Sequence, residues 1–146
     1  MASFTIEGMD GFVKEVNQTS KEIKALPAQI VKVLSTVRNK MLNDTISGID
    51  YQGRRFKPYS KMYQAVRLDN NRQSSPVSLT WHGDMVRSMK AFRIANGGEI
   101  RFDSTRENTK AVRHNDGIGV PKREFFGLSK NNIEYIEKRL LRTITL

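Results

Sequence analysis

The chain has 146 residues, a hydrophobic fraction of 38% and a formal net charge of +10, from 25 basic and 15 acidic side chains. That length suits one domain, 1–146, with room for a protruding arm but not for a second full domain. Cysteine is absent, so disulfides and thiolate metal sites are excluded, and no apolar run approaches the length of a membrane span; a soluble protein is expected.

The opening residues MASFTIEGMDG lack the basic and apolar regions of a signal peptide, and Ala2 after Met1 excludes myristoylation. From Phe12, apolar or small residues recur at Val16, Thr19, Ile23, Leu26, Ile30, Val33, Val37 and Met41. Spacings of three and four make one stripe of an amphipathic helix. Pro27 interrupts it, which predicts either a kinked helix or two collinear pieces, the second starting at Pro27. Gly48 suits a left-handed cap at its end.

The charge excess is concentrated after this helix. Residues 1–50 are balanced, whereas residues 51–94 hold nine basic side chains against two acidic ones. Such a segment faces nucleic acid, an acidic protein surface or an anionic membrane, or is a solvated loop. Within it, about 51–75 reads as a basic arm or extended loop. Its aromatics, Tyr51, Phe56, Tyr59 and Tyr63, argue against disorder. A short helix from Ser60 to Arg67 is predicted, capped by Ser60, with Met62, Tyr63 and Val66 on one face.

Asp84 to Lys90 reads as another short helix. Ala91–Ala95 and Glu99–Asp103 flank Asn96-Gly97-Gly98, the strongest hairpin signal in the chain. Phe92, Ile94, Ile100 and Phe102 are expected on one buried face, and Ala111–His114 as a third antiparallel strand. Ser129 caps a final helix whose apolar face is Ile133, Ile136, Leu140, Leu141 and Ile144. The fold class is therefore α+β: a long N-terminal helical element, a small antiparallel sheet with a 91–103 hairpin, and a C-terminal helix.

Chemistry is harder to find. His82 and His114 stand 32 residues apart with no cysteine to join them, so a zinc site is disfavoured. Ser60 and Ser129 are better explained as helix caps than as nucleophiles. Gly117-Ile118-Gly119 lacks the Gly-Lys-Ser/Thr ending of a phosphate loop, and Trp81, the sole indole, suits packing at a fold or subunit interface more than stacking on a base. No catalytic constellation, metal or cofactor is expected, and the protein reads as a non-enzyme.

Several blocks, taken in order, carry a resemblance. Gly53-Arg54-Arg55-Phe56-Lys57-Pro58-Tyr59-Ser60 precedes Tyr63 and Arg67, then Leu79-Thr80 with Gly83-Asp84-Met85 and Ser88. Ala111-Val112-Arg113-His114-Asn115-Asp116-Gly117 and Pro121-Lys122-Arg123-Glu124-Phe125-Phe126-Gly127-Leu128-Ser129 follow the hairpin. The succession resembles the tailed-bacteriophage virion-morphogenesis family, the tail-completion or neck proteins, over residues 48 to the end. Two departures stand out: Trp81-His82 separates Thr80 from Gly83, and Tyr59 replaces the more frequent leucine.

The resemblance implies a structural virion protein of the head–tail junction: a homo-oligomeric ring of six or twelve copies that contacts neck, connector or tail-tube neighbours. It joins a DNA-filled head to a tail, with non-specific contact to genomic DNA, and assembles in the host cytoplasm. A low apolar fraction beside a long helix suits a subunit that completes its burial against copies of itself. The expected interface comprises Arg54, Arg55, Phe56, Lys57, Tyr59, Lys61, Tyr63, Arg67, Arg72, Trp81 and Arg123, the last paired with an acid of the same or the next subunit or else solvated. The alternative is a free-standing nucleic-acid-binding protein that uses the 51–94 patch.

Overall fold

The apolar stripe of the first long helix organises the molecule. The computed structural model describes residues 3–5, 22–95 and 97–144. Helix α1, Glu22–Ile46, buries Leu26, Ile30, Val33, Val37 and Met41, with Leu34 beside them. These are the stripe positions expected from the spacing; the extension back to Phe12 lies outside the described residues. Pro27 sits inside α1. It removes one amide near the N-terminal end, and the helix continues through it rather than restarting there.

Strands β1 (Ser3–Thr5), β2 (Met89–Ile94) and β3 (Gly97–Phe102) form an antiparallel sheet in the order β1-β3-β2. Helix α1 packs across β2 and β3 and against the C-terminal helix. At Gly98 the approach is so close that a Cβ would lie 2.6 Å from Ile30 Cγ2 and from Leu34 Cδ1, so any larger residue would push these side chains aside.

Helix α2, Lys61–Asp69, starts at Ser60, whose hydroxyl accepts from Tyr63 N at 3.2 Å. Helix α3 is one turn, Asp84–Arg87, shorter than expected because Met89 already opens β2 and is fully buried there. Helix α4, Thr105–Asp116, and helix α5, Lys130–Ile144, complete the chain. Ser129 Oγ accepts from Asn132 N at 3.1 Å, as expected of a cap. Ile136 and Leu140 are buried, but Ile133 and Leu141 are exposed, so the inward stripe of α5 is narrower than five residues.

Two expectations are corrected. Residues Ala111–His114 are helical, not a third strand; Ser104 and Glu107 begin a capping-box pattern, and Glu107 N donates to Ser104 Oγ at 3.4 Å. The third strand is β1. The hairpin joins Ile94 to Gly97, which places Ala91 opposite Ile100 and Phe92 opposite Glu99. Met89, Ala91, Ile100 and Phe102 therefore share the face under α1, and Phe92 and Ile94 lie on the other, because a one-residue shift exchanges faces. On that outer face the Arg101 guanidinium lies 3.9 Å from the Phe92 ring centroid.

Residues 51–75 are mostly exposed, with helix α2 inside them, and are tied to the body of the chain at Phe56, Tyr59 and Arg67. Phe56 and Tyr59 are buried in the core, and a Cβ on Gly127 would lie 2.5 Å from the Tyr51 ring. The aromatics noted in the sequence hold the segment down. Phe125 and Phe126 anchor the opposite side, with the Phe126 and Phe102 centroids 4.9 Å apart and Asn115 bonded to both backbone groups of Phe126.

Candidate functional site

The four-residue spacing of Tyr59, Tyr63 and Arg67 puts these side chains along one side of the α2 start. Arg67 is only 2% exposed, while Met62 on the same helix is 79% exposed and Val66 is 43% exposed. The face expected from Met62, Tyr63 and Val66 exists, but it points outward, and a guanidinium takes the inward position.

That burial is possible because Arg67 is well held. Its Nε donates to Gln73 O at 2.5 Å and its Nη2 to Thr80 O at 2.7 Å. Its guanidinium lies 4.9 Å from the Tyr59 ring centroid, 5.8 Å from Tyr63 and 5.5 Å from Trp81. Guanidinium is weakly hydrated and stacks on aromatic faces, so it tolerates such a place better than an ammonium. Arg72 continues the stack, 5.8 Å from the Trp81 centroid.

Arg123 approaches the same tyrosine from the other end of the chain. It is 4% exposed and lies 5.0 Å from the Tyr59 centroid. Its Nε and Nη2 donate to Lys57 O at 3.0 Å and Pro58 O at 3.2 Å. No acid among the described residues pairs with Arg123; within the chain two backbone carbonyls hold it. Burial lowers the Arg123 pKa, opposed by Tyr59 and Tyr63; arginine nevertheless stays charged.

These groups line a cleft of about 580 Å³ between α2, the 79–85 turn and the 114–123 segment. Leu79 holds the turn in the left-handed region, φ +52°, and its N–H donates to Tyr59 Oη at 3.2 Å. A leucine in that region is strained and needs such support. His82 and His114, unrelated in sequence, both reach the cleft. His114 Nδ1 is buried and has no hydrogen-bond partner among the described residues. Burial, and then the nearby Arg123 charge, lower the His114 pKa and keep the imidazole neutral. Among the described residues no group of three His, Cys, Asp or Glu could hold a metal.

The carboxylates near the cleft already have cations: Asp84 pairs with Arg87 at 3.1 Å and Glu107 with Lys110 at 2.9 Å. Neither Arg67 nor Arg123 pairs with a described carboxylate.

The expected interface residues therefore divide. Phe56, Tyr59, Arg67 and Arg123 are largely buried within the chain, and all of these but Phe56 line the cleft. Arg54 is exposed but ion-paired with Asp50 at 2.9 Å and Glu124 at 3.3 Å. Arg55, Lys57 and Lys61 are exposed with no described ion-pair partner. Tyr63 and Trp81 line the cleft, and Arg72 lies against the Trp81 ring outside that lining. No sequence pattern marks the cleft as a unit. The spacing of Tyr59, Tyr63 and Arg67 was its one local signal, whereas the meeting with His114 and Arg123 is tertiary.

No protein-family model, curated protein or solved structure matches the chain. No helix among the described residues is long and apolar enough to cross a membrane.

Proposed function

We propose that the chain is a structural protein of the bacteriophage head–tail junction, a ring subunit that helps join a DNA-filled head to a tail. One observation carries the reading: the sequence blocks that resemble neck proteins, dispersed over residues 53–129, are held against one another. Arg123 bonds the Lys57 and Pro58 carbonyls, Tyr59 Oη accepts from Leu79 N, and Arg123 N donates to His114 O at 2.7 Å. Blocks that recur in order and close on one another act as one unit, which strengthens the resemblance beyond its separate pieces. In this reading the role is non-catalytic, and Ser60, which lines the cleft, acts as a helix cap. The outward apolar face of α2 supplies surface for contact with copies or neighbours.

The exposed Arg55, Lys57 and Lys61 favour the second reading, a nucleic-acid-binding protein. Deleting the gene from the genome that carries it separates the two. Accumulation of filled heads and free tails, restored by supplying the protein, is the expected result. Intact, infectious particles at normal yield would overturn the junction role.

A further inference from the structure

We propose that the cleft is a docking site for a carboxylate-bearing segment of a partner protein. The site does not depend on which assembly the chain serves.

Two buried guanidiniums share the Tyr59 ring, each using Nε and Nη2 on backbone carbonyls. The carbonyls satisfy hydrogen bonds but leave both charges without a counter-ion, and Nη1 of each without a described acceptor. Desolvated charge left uncompensated is costly, and a carboxylate reaching these groups gains charge-assisted hydrogen bonds where screening is weak. The nearby carboxylates of Asp84 and Glu107 are held by Arg87 and Lys110, so the missing anion has to come from another molecule.

The surroundings favour a protein segment over a nucleic-acid strand. A strand is bound along a continuous row of cations. Here the two cations are recessed, Asp84 stands among the lining residues, and the adjoining outer surface is the apolar face of Met62 and Val66. An acidic residue flanked by apolar ones matches that combination: the carboxylate enters, and its neighbours cover Tyr63 and α2.

Trp81 is the only tryptophan and lines the cleft, so its emission reports occupancy. The probe is a blocked hexapeptide, Ala-Glu-Leu-Ala-Glu-Leu, compared with its glutamine counterpart and with an eight-residue oligothymidylate. The acidic peptide is expected to change the emission saturably and to bind about tenfold more tightly than the glutamine form. Exposed His82 at the cleft provides a variant with little risk to folding. His82→Glu should weaken the acidic peptide several-fold, and His82→Lys should not weaken it. Equal binding of the two peptides, no saturable change, or indifference to the sign at position 82 would overturn the proposal. Tighter binding of the oligothymidylate would replace it with a nucleic-acid site.

Discussion

Helices α1 and α2 both carry amphipathic patterns, yet they are buried in opposite senses. In α1 the apolar stripe faces the sheet, and Leu34 and Val37 are almost fully enclosed. In α2 Met62 and Val66 face outward while Arg67 turns in against Tyr59, Tyr63 and Trp81. Periodicity identifies a face but not the direction in which it points. A long helix crossing a sheet has one place to bury its stripe, whereas a two-turn helix can instead seat a guanidinium if aromatic faces and carbonyls receive it.

The contrast can be broken most forcefully in the core. Phe102→Ala should destabilise by about 3–5 kcal/mol, because its ring is enclosed with Phe125 and Phe126. Phe92→Ala, on the outer sheet face, should cost about 1 kcal/mol or less, chiefly the contact with Arg101. Denaturant unfolding of the two variants checks this. Equal losses would contradict the register in which Ala91, not Phe92, faces Ile100.

The cleft offers the next effect. Arg67→Met should cost on the order of 1–3 kcal/mol, since it leaves the Gln73 and Thr80 carbonyls without their donor. Lys61→Met, on the exposed side of α2, should stay within about 0.5 kcal/mol. A stabilised Arg67→Met protein would show that the guanidinium does not organise this region.

Much of the first region was legible and little of the second. Leu26, Ile30, Val33, Val37 and Met41 repeat often enough that only one face can be inward, and Ser60 and Ser129 are caps by local chemistry. The hairpin was legible, but its register was not, because Gly97 and Gly98 belong to β3 rather than to the turn. Ala111-Val112 resembled a strand although Ser104 and Glu107 announce a helix. The cleft depends on residues 57–67, 79–85 and 114–123 arriving together, and no local pattern encodes that meeting.

A smaller effect sharpens the comparison through pH. His114 has a lowered pKa, from burial and then Arg123, so the folded chain binds this proton less readily than the unfolded chain. Its contribution to stability is present above the ordinary histidine value of about 6.5 and is lost as pH falls from there through the folded value. Between about pH 7.5 and pH 5, wild type should therefore lose stability relative to His114→Gln. Thermal unfolding at both pH values measures it, and a relative gain in acid would contradict a neutral, buried imidazole.

The proposed role in assembly is tested most directly by the native mass of the purified protein across salt concentration. One chain weighs 16.7 kDa. A ring subunit with an apolar seam should give a closed multiple, six or twelve copies, that persists from about 50 mM to 200 mM salt. A single chain at every protein concentration, binding duplex DNA with an affinity that falls steeply over the same salt range, would contradict it.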